Sequence, residues 1–250
     1  MDINADAGES FGRWNLGADA ELMPLVTTVN IACGFHAGDP ANMRRSVILA
    51  REHGVAVGAH PGYPDLLGFG RRVIGVAESD VIDYVVYQTG ALMAIAASEG
   101  VRLTHVKPHG ALYGQVSSSA DLAVDLSRQL QSLQPGLALM IASGDGATAV
   151  RGAGLPAVLD AAADLEYDEF GKNIIEPVPT AKDPVGVADR AFRLAQGHVD
   201  TVAGTTVPLA VETVCVHGDR PNAPQIAAAV RERLQEAGIT VRSVFESSSR

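Results

Sequence analysis

The 250-residue chain has only two cysteines, Cys33 and Cys215. They lie far apart with no metal-type spacing, and in a cytoplasmic protein two such cysteines read as free thiols. Basic residues are also scarce: 19 Lys and Arg stand against 29 Asp and Glu, a net charge of −10. That balance argues against a nucleic-acid partner, because phosphate binding needs clustered positive charge. A small anionic substrate stays open, since one local positive site suffices for it. No apolar run approaches ~20 residues, so no membrane span is expected. The N-terminus, MDINADAGES, lacks the basic and apolar regions of a signal peptide. These absences predict a cytoplasmic protein. No Ser/Gly tract, charge block or low-complexity run divides the chain, which predicts one domain over residues 1–250. There is no GxxxxGK[ST] and no GxGxxG leading from strand to helix, so no phosphate loop is visible. The ASGDG at residues 142–146 lacks the glycines of a nucleophile elbow, so Ser143 is not a candidate nucleophile.

What the chain does contain is a repeated alternation of apolar strand patterns and longer helical ones. MDINAD, TTVNIAC, VAVGAH, LTHVKP, LALMIAS, PAVLDAAAD and ETVCVHG read as strands, mostly followed by helical segments. Such units imply parallel strands with right-handed crossovers. The predicted fold is α/β: a seven-stranded, TIM-like parallel β/α barrel, with a doubly wound open sheet as the alternative. SSSA at 117–120 reads as a loop with an N-cap, Gly238 as a helix C-cap, and ITVRSVF at 239–245 as a further short strand.

The predicted strands are apolar in the middle and polar at their C-terminal ends. DINADAGES places Asp2, Asn4 and Asp6 on one face, with Glu9 in the loop. His36 and Asp39 follow the second strand, His60 and Asp65 the third, Lys107 and His109 the fourth, His217 and Asp219 the last. In HVKPHGALYG, the residues His105, Lys107 and His109 alternate and share a face. In a barrel these strand ends converge on one mouth. Asp39 also reads as the N-cap of a helix beginning at Pro40, Asp65 and Asp219 as turn residues, and the acids at 164–169 as a solvated loop. Arg71 and Arg72 in GFGRR offer an anion site or a solvated turn.

NADAGESFGRWNLG, NIACGFHAGDP, GVAVGAHPGYPDLLGFGRR, HVKPHGALYG and VCVHGD, in this order, closely resemble the LamB/YcsF family of 5-oxoprolinase components. The likeness runs from Met1 to about Gly114 and resumes at Val214. It implies a barrel related to the glycoside hydrolase/deacetylase superfamily. It also implies ATP-dependent opening of the lactam 5-oxoproline (pyroglutamate) to L-glutamate, with Mg2+ accompanying the ATP, and two partner subunits, PxpB and PxpC. Between residues 160 and 180 the chain departs from the family pattern. Family arginines fall here at Leu165 and around Glu176 and Pro177, so two positive charges are missing from the mouth and another lactam becomes an alternative substrate.

Opening an amide needs an activated water, a stabilised oxyanion and a protonated leaving nitrogen. Asp6, Lys107 and His109 are the expected catalytic residues, with Asp6 or His109 as base and Lys107 facing the developing negative charge. Asn4, Glu9, His36, His60, Arg72 and His217 are the expected substrate-binding residues. Two other classes stay open. One is a metal-dependent amidohydrolase or deacetylase of an N-acyl sugar, with Asp6, His36, His60 and His109 as candidate ligands. The other is a non-catalytic subunit that delivers substrate. The sequence leaves a homo-oligomer open as well.

Overall fold

The computed structural model describes residues 1–245. Its strands are β1 (Asp2–Ala7), β2 (Thr28–Ala32), β3 (Ala56–His60), β4 (His105–Val106), β5 (Ala138–Ala142), β6 (Ala157–Ala162), β7 (Glu166–Tyr167), β8 (Asn173–Ile174), β9 (His198–Asp200), β10 (Thr206–Pro208) and β11 (Thr213–Val216). Its helices are α1 (Asp19–Leu22), α2 (Pro40–His53), α3 (Glu78–Ser98), α4 (Gly110–Ser118), α5 (Ala120–Leu133), α6 (Asp145–Gly152), α7 (Pro184–Ala195) and α8 (Ala223–Glu236). Seven strands close a barrel in the order β1-β11-β6-β5-β4-β3-β2. Every pairing in it is parallel. The predicted barrel is therefore observed, and the open sheet is not.

Period-two alternation divides each strand between two environments. The outward set, including Ile3, Val29, Ile31, Val57, Val106, Leu139, Ile141, Leu159 and Val214, joins the apolar core beneath the helices. The inward set is unusually polar: Asp2, Asn4, Asp6, Thr28, Asn30, His60, His105, Asp160 and Thr213 are all buried. Polar groups in such a place must bond to one another. Asn4 Nδ2 donates to Asp160 and Thr213 at 2.8 Å each, and Asn30 Nδ2 donates to Asn4 and Asp6 at 2.8 Å each.

The chain's last described segment closes the bottom of this column. Ile239–Phe245 is not the expected strand. Instead the Phe245 ring stacks on His105 with centroids 4.8 Å apart, and Ser243 Oγ lies 3.1 Å from Thr28 Oγ1. A plug of this kind has no periodic pattern to reveal it. The hairpins β7–β8 and β9–β10 have strands of two or three residues, too short for periodicity to register. Helix α4 takes in Ser117 and Ser118, which the sequence suggested as loop, while Ser119 does cap α5 by accepting from Leu122 N. Asp39 caps α2 as anticipated, and Gly238 follows α8 with φ of 75°.

Helix α3, at 21 residues, is long and apolar enough by composition to cross a membrane, which corrects the expectation that no such segment exists. Here it covers the barrel. Val81, Val85, Leu92 and Ala96 are buried, and Gln88 exchanges hydrogen bonds with both polar groups of Gly62's backbone.

Gly58 makes room for the column. A Cβ there would stand 2.1 Å from His105 Nε2, the atom that meets Asn30 Oδ1 at 2.6 Å. Overpacking a filled interior costs about 1–3 kcal/mol, sometimes more. Gly58→Ala is therefore expected to lower stability by at least that amount in denaturant unfolding, and adding His105→Ala should recover part of the loss. A Gly58→Ala protein as stable as the parent would refute this account of the interior.

Candidate active site

At the C-terminal mouth the strand ends line a cleft that is open to solvent. Its floor is built around Lys107. The strand ladder carries this residue inward one step past β4, with Lys107 N donating to Ala59 O at 2.9 Å. Its buried ammonium donates to Asn4 Oδ1 at 3.0 Å, Asp6 Oδ1 at 3.1 Å and Cys215 Sγ at 2.9 Å, and Asp160 Oδ2 lies 3.4 Å away. Burial opposes the charge, but Asp160 and Asp6 hold the ammonium well above its ordinary pKa. Asp6 mirrors it: burial opposes ionisation, and His60 and Lys107 overcome that to bring the carboxyl well below its usual range. Burial, reinforced by Asp6, pushes the Cys215 thiol up, so the sulfur stays protonated and is a weak acceptor.

One wall carries a second charged chain. His217 Nδ1 lies 2.8 Å from Asp164 Oδ1, and Arg220 Nε donates to Asp164 Oδ2 at 2.6 Å. Burial disfavours the imidazolium, yet Asp164 raises the His217 pKa to about 9. Burial likewise disfavours the carboxylate, and His217 with Arg220 lowers Asp164 to about 2. His217 is therefore a cation at neutral pH, with Nε2 3.9 Å from Asp6 Oδ2. A close approach aligns the two strand ends: a Cβ on Gly218 would sit 2.1 Å from Asp6 O.

The opposite wall holds three histidines and a buried acid. His60 Nδ1 meets Lys107 O at 2.7 Å, His109 Nε2 meets Phe69 O at 2.8 Å, and His60 Nε2 faces His109 Nδ1 at 3.0 Å. His36 stacks on His109 with centroids 3.8 Å apart, and Glu9 Oε1 is 3.7 Å from His36 Nε2. Burial lowers the pKa of both His36 and His109 and raises that of Glu9, with neighbouring acids adding to the last.

The structure thus brings Asp6, Lys107, His109, His60 and His217 to the cleft lining. Asn4 lies beneath them as a partner of Lys107, while Glu9 and His36 stand buried behind His109 and His60. Arg72 is not brought to the cleft: its side chain is 65% exposed and pairs with Asp65. Arg71 is the one that lines the cleft, with its guanidinium 2.6 Å from Asp219. Adjacent residues on a turn face opposite ways, and sequence alone does not choose between them. Sequence reasoning also missed Asp160, Tyr113, Asp164, Cys215 and Arg220. Asp160 had a visible signal, a lone acid within an apolar strand. Arg220 supplies a positive charge to the wall formed by residues 160–180, where the family pattern suggested a deficit.

A pH titration checks the His217 assignment. Its folded pKa lies above the ordinary 6.5, so its contribution to stability is complete below that value and fades as pH rises through about 9. Asp164 is depressed, so its part fades as pH falls through about 2. NMR should find His217 titrating near 9, and Asp164→Asn should move that titration down by at least one pH unit, on the order of 1.4 kcal/mol. An unmoved titration would remove Asp164 as the cause.

Comparison with known proteins agrees with this architecture. The LamB/YcsF family model matches residues 1–249. The A component of a 5-oxoprolinase from one strain of Thermus thermophilus is 45% identical over 247 residues, covering 97% of this chain and 99% of that protein. The crystal structure of a lactam utilization protein from a second strain of Thermus thermophilus superposes with a TM-score of 0.87 at 43% identity, covering 97% of this chain and 98% of that one. A family 4 carbohydrate esterase from Streptomyces lividans, 14% identical with a TM-score of 0.52 over 98% of this chain and 92% of its own, shares the fold alone. With a polar barrel interior, a mouth ringed by strand-end histidines and relatives matching nearly end to end, the chain belongs to the LamB/YcsF family.

Proposed function

We propose that the chain is the A component of a cytoplasmic ATP-dependent 5-oxoprolinase, which opens 5-oxoproline to L-glutamate together with two partner subunits. The observation that carries the chemistry is Lys107 on the cleft floor. Two of its three donors go to Asn4 and Asp6, and the third goes to the weak acceptor Cys215 Sγ. A lactam oxygen is a better acceptor than a thiol and takes that third donor. Arg71, beside the floor with one carboxylate partner, faces the substrate's own carboxylate.

An unactivated amide is a poor electrophile. ATP, with Mg2+, supplies a phosphoryl group to the amide oxygen as ADP leaves, which makes the carbon reactive. Water then adds to that carbon and gives its proton to the Asp6 carboxylate. The ring C–N bond breaks as His217, held cationic by Asp164, donates its proton to the nitrogen, while the new hydroxyl releases its remaining proton to solvent and becomes the acyl carbonyl. The product is an acyl phosphate of glutamate, and a second water releases inorganic phosphate. His109 Nε2 is tied to Phe69 O and its Nδ1 is turned toward His60 Nε2, which favours Asp6 over His109 as base.

The test is L-glutamate formation from 5-oxoproline by this chain mixed with its two partner subunits, omitting ATP and each protein in turn. Glutamate should require ATP and this chain. Asp6→Asn, isosteric and folded by circular dichroism, should lower kcat by about 10²–10⁴. Cys215→Ser puts a stronger acceptor on Lys107 and should lower kcat/KM by about tenfold, or about 1.4 kcal/mol. Full activity without this chain would leave it no catalytic part. ATP-independent release of acetate from an N-acetyl sugar would favour deacetylase chemistry instead.

A further inference from the structure

The histidine wall holds a pair of facing nitrogens that the lactam chemistry does not use. A carbonyl oxygen only accepts, so His60 Nδ1 must carry the proton it gives to Lys107 O, and His109 Nε2 the one it gives to Phe69 O. In neutral rings that leaves His60 Nε2 and His109 Nδ1 as lone pairs, and these two atoms face each other at 3.0 Å, with the Asp6 carboxylate a further neighbour 3.4 Å from His60 Nε2. Two opposed lone pairs repel unless a cation lies between or beside them. The Glu9 carboxylate is at hand, with Oε1 3.9 Å from His109 Nδ1. His36, fully buried, leaves both ring nitrogens without a hydrogen-bond partner. One ligand atom from each of Glu9, His36, His60 and His109 lies within 4.8 Å of the others.

From this geometry we infer a binding site for a single divalent transition-metal ion of the Zn2+ type, with His60 Nε2, His109 Nδ1 and the Glu9 carboxylate as ligands. The spacings suit it: Zn–N bonds of about 2.0–2.1 Å place tetrahedral ligand atoms ~3.3 Å apart, between the observed 3.0 and 3.9 Å. The two backbone carbonyls behind the rings are the outer partners that fix a ligating tautomer and orient each imidazole. His36 is a positioning residue. Its ring lies parallel to His109 within 2°, so one ion cannot sit in both ring planes. It holds His109 flat and turns Nε2 toward Glu9 at 3.7 Å. Because His60 and His109 also line the cleft, the remaining coordination position opens toward the cavity. This is the arrangement of three protein ligands and one exchangeable site. The inference concerns binding, and it stands whether or not the substrate is a lactam.

The test uses the intact chain, stripped with chelator and titrated calorimetrically with Zn2+. One ion per chain is expected. Co2+ should give the intense visible absorption of a four-coordinate site in the unsubstituted protein, a readout independent of any variant. Glu9→Gln, His60→Ala and His109→Ala should each weaken Zn2+ binding by about 100-fold or more. His36→Ala should weaken it less, and replacing His53, an exposed residue of α2, should change nothing. The absence of saturable binding would overturn the site, as would binding that survives all three ligand substitutions. So would a His60–His109 imidazolium proton that persists by NMR when Zn2+ is in excess, for then a proton occupies the gap.

Discussion

Everything at the mouth of this barrel is arranged around one buried ammonium. Lys107 lies among Asn4, Asp6, Asp160 and Cys215, and the attraction of two carboxylates offsets the cost of taking its charge out of water. Break that pairing and Asp160 loses its ammonium partner, while Asp6 is left with His60 and His217 alone, both acids inside a closed sheet. The polar column beneath follows from it. Asn4 and Asn30 pass hydrogen bonds downward from Asp6 toward Asp160, Thr213 and His105, so each barrel layer is satisfied by the next. Gly58 and the Phe245 plug are the steric terms that let this column fit and close.

The same arrangement separates roles among neighbours of similar type. His217 and His109 both line the cleft, yet one is driven cationic by a buried acid while the other is kept neutral by burial among further histidines. The first is suited to giving up a proton, the second to presenting a lone pair. Asp6 stays ionised beside Lys107, whereas Glu9, behind the histidines and near other acids, is pushed toward its neutral form. Environment rather than residue type sets these differences, and it divides the site into a proton-handling wall and a lone-pair wall.

Much of this was legible in the sequence, for definite reasons. Asp2, Asn4 and Asp6 alternate, so an inward polar face followed from strand geometry. His105, Lys107 and His109 alternate too, and in the folded barrel they lie along its interior from the Phe245 plug to the cleft. Polar residues at the ends of successive βα units also located the mouth. What stayed hidden depends on orientation or on distance in sequence. Whether Arg71 or Arg72 faces the cleft is decided by one turn. Asp164 gained its role only through His217 and Arg220, more than fifty residues away. Between residues 160 and 180 the family pattern suggested a loss of positive charge, and nothing in the sequence pointed to Arg220, from another strand end, as a cation of that wall.

The most direct measurement is a crystal structure of this chain soaked with 5-oxoproline. The account predicts the lactam in the cleft, with its carbonyl oxygen within hydrogen-bond distance of Lys107 Nζ in place of Cys215 Sγ and its carboxylate beside Arg71. A lactam bound away from Lys107, or a cleft that takes no 5-oxoproline at saturating concentration, would contradict it.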